Sequence, residues 1–133
     1  MASIFSRIVL GEIPCYKVAE NDEFLAFLDI MPLAEGHTLV IPKKETDNIF
    51  DIDDAAYQRF WTFAKEVALK LKMHIPCKRI GISVIGLEVP HAHIHLIPLQ
   101  QIEDINFSKA KVKAPEQALA TLASILFEDN SIV

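Results

Sequence analysis

The sequence predicts an α+β fold, and three observations carry the prediction. Short runs rich in β-branched and aromatic residues lie close together in the chain, which favours antiparallel pairing. Two longer segments instead repeat apolar residues at helical spacing. Their order is a hairpin, a strand, a helix, two strands and a terminal helix, which gathers the strands into one sheet. At 133 residues, 51% of them hydrophobic, the chain is expected to be a single domain. Residues 1–100 would form its core and residues 101–133 a C-terminal extension with a helix.

Each element has a local cause. Ser3 is placed to cap a short helix over Ile4 to Leu10, with Gly11 where a left-handed residue ends it. Cys15 to Ala19 and Phe24 to Leu28 read as strands around the turn Glu20-Asn21-Asp22-Glu23. Met31 to Gly36 is a loop, and His37 to Pro42 a strand ended by its proline, followed by Lys43 and Lys44. Tyr57, Phe60, Ala64, Val67 and Leu71 line one face of a helix, capped by Asp53 or Asp54 and stopped by Pro76. Lys70 and Lys72 would complement the dipole at its end. Lys78 to Ile85 and Ala92 to Pro98 are two further strands. A loop from about Gln100 to Lys113 leads to a helix starting near Pro115, with Leu119, Leu122, Ile125 and Leu126 as its apolar positions.

Bulk properties exclude several classes. A formal charge of −5 argues against a nucleic-acid partner, which normally needs a basic face. A mononucleotide is still permitted, because backbone N–H groups and histidines hold phosphate on an acidic protein. No apolar run approaches the roughly 20 residues of a membrane span. The N-terminal residues show no secretory pattern, so a cytoplasmic protein with no membrane partner is expected. Cys15 and Cys77 are then expected as free thiols.

Chemistry concentrates in His91-Ala92-His93-Ile94-His95-Leu96-Ile97. Side chains two apart on a strand share a face, so His91, His93 and His95 form a row while Ala92, Ile94 and Leu96 turn to the core. Three imidazoles make a poor apolar surface, because each needs hydrogen-bond partners when buried. Two uses remain open from the residues alone. The row could hold a metal ion with Glu88 as a further ligand, or it could handle phosphate directly, one ring attacking phosphorus while its neighbours donate protons.

The chain resembles the histidine-triad (HIT) family, and in particular its Hint-like branch, the protein kinase C-interacting-protein-like small hydrolases. The resemblance rests on Ile4-Phe5 with Ile8, Gly11-Glu12-Ile13-Pro14, Phe27-Leu28-Asp29-Ile30, Pro32, Gly36 to Lys44 and His91 to Pro98, in family order. It implies about five antiparallel strands, two main helices, and a homodimer whose sheets join. It implies a hydrolase cleaving at the α-phosphate of purine nucleotide derivatives, of adenosine phosphoramidate type, with no cofactor. His93 would be the nucleophile of a nucleotidyl-histidine intermediate, and His95 would contact the phosphate and help protonate the leaving group. His91 and His37 would orient His93, and Asp29 would accept the ribose hydroxyls. Ile30, Ile4, Phe5 and Ile8 would make the base pocket. Two alternatives stand beside this: a nucleotide-binding or partner-binding dimer with weak catalysis, and a dinucleoside polyphosphate hydrolase.

Three departures from the family pattern carry expectations of their own. Many members hold zinc with an N-terminal Cys-x-x-Cys pair and a histidine after the lysines. Here those positions are Ser3, Ser6 and Glu45, so no metal is expected. The segment from Gly81 to Pro90 is a few residues short, and Leu87 stands where glutamine is usual. Ser83 is the nearest counterpart of a family asparagine. Gly86, which lets backbone amides approach a phosphate, is kept and, with Ser83 and Glu88, is assigned to nucleotide binding.

Overall fold

A computed structural model of the chain describes residues 2–111 and 114–129. Helix α1 spans Ile4–Val9; strands β1 and β2 span Lys17–Glu20 and Phe24–Leu28, and β3 Thr38–Pro42. Helix α2 covers Asp54–His74, strands β4 and β5 cover Arg79–Ser83 and Ile94–Leu99, and helix α3 covers Glu116–Glu128. Short 3-10 turns at Ile49–Asp51 and Ile102–Ile105, which the sequence reading did not separate from loop, complete the described elements. The five strands pair antiparallel in the order β1-β2-β3-β5-β4, so the expected α+β sheet forms, with β5 inserted between β3 and β4.

Capping follows side-chain chemistry. Ser3 Oγ accepts from the Ser6 amide at 3.0 Å to start α1, and Gly11 takes φ +80° just past its end. Of the two candidate caps of α2 it is Asp53 that accepts, from the Ala56 amide at 3.0 Å. Lys70 departs from expectation: it is buried, and its Nζ donates to the Val18 carbonyl at 3.1 Å rather than serving the helix end. The ammonium satisfies a strand carbonyl while its methylenes pack, and burial pulls its pKa down.

Both sheet faces are covered. One carries Val18, Phe24, Ala26, Leu28, Val40, Ala92, Ile94 and Leu96 against the apolar sides of α2 and α3. Phe24 stacks on Phe60 of α2 with centroids 5.3 Å apart. Burying one such side chain is worth about 1.5–3 kcal/mol. The opposite face presents Leu25, Phe27, Leu39 and Ile41, closed by Phe5 from α1. On α3, Leu119, Ala123 and Leu126 are buried, whereas Ile125 is exposed. Among the described residues no helix is long and apolar enough to cross a membrane, and both cysteines are free.

The histidine strand is shorter at its start than expected. Pairing begins at Ile94, so His91 and His93 lie in the extended lead-in to β5. There the Ala92 amide donates to the Thr46 carbonyl at 2.7 Å instead of to a ladder. Side-chain alternation survives: Ala92, Ile94 and Leu96 all reach the α2 face. Gly36, at φ +89° before β3, turns the chain into the sheet where a Cβ would strike Ile75.

Candidate active site

Four histidines are buried together, His37 and His91 at 0% exposure, His93 at 7% and His95 at 8%. Burial demands partners, and the partners fix every proton. The Leu33 amide donates to His37 Nδ1 at 3.0 Å, so the neutral ring carries its hydrogen on Nε2. That Nε2–H donates to His95 Nδ1 at 3.0 Å, which in turn places the His95 hydrogen on Nε2. His93 Nδ1 lies 2.7 Å from the His91 carbonyl, and because a carbonyl only accepts, Nδ1 carries a hydrogen and the neutral ring leaves Nε2 bare. His91 donates from Nε2 to the Pro42 carbonyl at 2.7 Å and accepts at Nδ1 from the Ser3 hydroxyl at 2.7 Å.

The rings of His93 and His95 meet edge to face, 5.0 Å apart. Phe5 sets its ring edge-on against His93 at 5.0 Å and His91 at 5.8 Å. Burial holds His37 down to about 4, with Asp29 pushing upward and Lys111 downward. His95 falls to about 3, first from burial and then from the charges of His37, His93 and Lys111. Both are neutral in the empty site at pH 7.

A cavity of about 420 Å³ opens over these rings. Of the residues named from sequence, Ile4, Phe5, Asp29, Gly86, Glu88, His93 and His95 line it. Asp29 takes the Met31 amide on Oδ1 at 2.9 Å, and its Oδ2 lies 3.7 Å from His37 Nε2. Three assigned residues are elsewhere. Ile30 is 51% exposed beyond the rim, and Ile8 packs one turn behind Ile4 against the apolar cluster under α1. Ser83 ends β4 opposite His95 in the register but does not line the cavity. His37 orients His95 rather than His93, because the strand order places β3 beside β5.

Sequence reasoning missed Phe107 and Lys111. The Phe107 ring meets His95 at 4.8 Å, and Lys111 Nζ sits 5.7 Å from that ring, both on the cavity wall. The available signal was a lone aromatic among polar residues, Asn106-Phe107-Ser108-Lys109.

Metal ligation does not fit the rings. Donor atoms of Asp29, His37 and His95 converge within 4.8 Å of one another. Ligation through His37 Nε2 would drive its hydrogen to Nδ1, where it would face the Leu33 N–H. The positions that in the resemblance hold zinc are bonded together here. Glu45 Oε1 accepts from the Ser3 amide at 2.6 Å and the Ser6 hydroxyl at 2.7 Å, and Ser3 donates to His91. Two neutral hydroxyls offer a metal nothing like a pair of thiolates.

Comparison with known proteins shows the family. The HIT domain profile matches residues 10–102. The chain is 40% identical over 99 residues to the adenosine 5'-monophosphoramidase HNT1 of Saccharomyces cerevisiae, covering 73% of this chain and 62% of that one. A HIT-like protein of Bartonella henselae superposes with a TM-score of 0.81 at 30% identity, over 93% of this chain and 92% of the other. A zinc-bound histidine triad family protein of Mycobacterium smegmatis superposes with a TM-score of 0.72 at 25% identity, over 95% and 96%.

Proposed function

Since the chain belongs to the HIT family, we propose that it is a hydrolase of nucleotide conjugates, cleaving phosphoramidates of adenosine type at the α-phosphorus. The observation carrying this reading is the opposite protonation of two adjacent rings on one cavity: His93 with a bare Nε2 and His95 with an Nε2–H. One atom is a nucleophile and the other a donor, which is what displacement at phosphorus needs.

In this mechanism His93 Nε2 attacks phosphorus, an N–P bond forms, and the bond to the leaving amine breaks. Water then attacks phosphorus and releases His93 with a nucleoside monophosphate. His95 donates from Nε2 to the developing charge. A neutral His95 has no spare proton, since the Nε2 hydrogen behind it is the only one on the His37 ring. The leaving amine therefore takes its proton from water, while the His95 Nε2–H stays a hydrogen-bond donor to the phosphate. Asp29 faces the ribose hydroxyls, and Ile4 and Phe5 the base.

The catalytic unit in this reading is a homodimer. Strand β4 is an edge of the sheet, and it and the loop after it expose Ile82, Val84 and Ile85. A second copy pairing there would continue the sheet and cover them. Leu87, 88% exposed beside the cavity where an amide donor is usual, favours a second reading with the same ligand and slow turnover.

Incubation with an adenosine phosphoramidate, acid quench and intact-mass measurement test the proposal. A covalent nucleotidyl adduct is expected in the wild type and none in His93→Ala. Equal turnover by the two proteins would remove His93 as nucleophile.

A further inference from the structure

We infer that Ser3, Ser6 and Glu45 form a metal-free latch that positions the nucleophile and the base-side wall of the cavity relative to each other. The inference rests on the role proposed above for His93. Its geometry stands independently of that role.

The cluster joins three parts of the chain remote in sequence. Glu45, just after β3, grips the first turn of α1 through the Ser3 amide and the Ser6 hydroxyl. The Ser3 hydroxyl accepts from the Ser6 amide and gives its own hydrogen to His91 Nδ1. His91 is therefore held at both ring nitrogens, by Ser3 on one side and the Pro42 carbonyl on the other. Its own carbonyl is the acceptor for His93 Nδ1–H. A residue pinned at both ends of its ring keeps that carbonyl still, and the carbonyl keeps the His93 tautomer with Nε2 bare.

The same grip sets α1. Ile4 and Phe5 follow Ser3 directly, line the cavity, and place the Phe5 ring against both His91 and His93. One cluster therefore decides where the base sits and where the attacking nitrogen points. The Glu45 carboxyl is held at about 2, first by the Ser3 amide and then by the Ser6 hydroxyl, so it stays an acceptor through any ordinary pH. Ser3 and Glu45 act through His91 and α1 without touching substrate, which makes them positioning residues.

Histidine ¹⁵N spectra and adduct kinetics on the full chain test this. Wild type is expected to show His91 protonated at Nε2 only and His93 at Nδ1 only. Ser3→Ala should mix the His91 tautomers and slow adduct formation about 10- to 100-fold, the scale of a misplaced reacting group. Ser3→Thr should restore both readouts. Glu45→Gln, which keeps an acceptor oxygen and guards against a failure of Ser3→Ala to fold, should raise KM more than it lowers kcat. Exposed Lys44→Ala should change neither.

Wild-type spectra and rates in Ser3→Ala and Glu45→Gln would overturn the latch. So would a zinc titration in which wild-type protein takes up one equivalent with displacement of the His91 signals. If wild type forms no adduct at all, the hydrolase reading fails, and the His91 spectra of Ser3→Ala and Ser3→Thr still decide the latch.

Discussion

Lowering the pH from 7.5 to 5.5 is expected to destabilise the fold by about 3 kcal/mol through two buried histidines. Burial holds His37 at about 4 and His95 at about 3 in the folded chain. In the unfolded chain both return to about 6.5. Below 6.5 the unfolded chain therefore binds protons that the folded rings refuse. The stability they contribute is whole above 6.5 and falls with pH until the folded values are reached. Over this window each ring accounts for between about 1 and 2 kcal/mol, and the pair for about 3. His91, also lowered by burial, acts in the same direction. Glu45, Glu20 and Asp104 are lowered carboxyls whose losses begin only below the ordinary carboxyl range, outside the window. Urea unfolding followed by Trp61 fluorescence at fixed protein concentration measures the effect. At about 4 °C per kcal/mol for a domain of this size, Tm should drop by about 10 °C. The decisive variant is His37→Gln, whose amide accepts from Leu33 and donates to His95 without titrating. Its pH sensitivity should fall by about half, to between about 1 and 2 kcal/mol. A wild-type difference below about 1 kcal/mol, or an undiminished slope in His37→Gln, would refute the assignment of neutral buried rings.

Three substitutions probe the frame around the site. Phe5→Ala removes the ring that joins Phe27, His91 and His93; it should cost about 3–5 kcal/mol by chemical denaturation and raise the nucleotide Kd. An unchanged Kd would take Phe5 out of the binding wall. Gly36→Ala meets both a positive φ and the Ile75 side chain, so a loss of about 2–4 kcal/mol is expected, and a neutral result would mean that the turn relaxes freely. Trp61 Nε1 is the one buried side-chain polar atom without a partner among the described residues. Trp61→Phe should therefore leave stability within about 1 kcal/mol of wild type by circular dichroism, and a larger loss would refute the view that this N–H contributes nothing.

Much of the frame is legible because its causes are local. The Ser3 and Asp53 caps, the Gly11 stop, the Phe24–Leu28 strand and the helical face of Phe60, Val67 and Leu71 all follow from spacing and side-chain chemistry. The alternation through the triad is equally readable, since Ala92, Ile94 and Leu96 can bury nothing else on one face. Long-range placement was not readable. His37 meets His95 across 58 residues only because β5 slots beside β3, and no local pattern reports strand order. Ile30 is apolar and adjacent to Asp29, yet the turn that lets Asp29 bind the Met31 amide carries it outward. Lys70 looked like a dipole partner because a sequence does not reveal which carbonyl a buried ammonium will find. The late start of β5 reflects the Thr46 carbonyl taking the Ala92 amide.

Leu33 meets His37 through its main-chain amide, and that amide decides the polarity of the His37–His95 pair. An amide can only donate, so the order of donors and acceptors behind His95 is written into the main chain. Nineteen of the twenty amino acids carry that N–H. A saturation library at position 33 should thus tolerate diverse replacements for activity and reject proline far more sharply than packing loss alone explains. In a comparison of sequences such a position would look variable and unremarked, although its peptide bond is as much a part of the site as any imidazole.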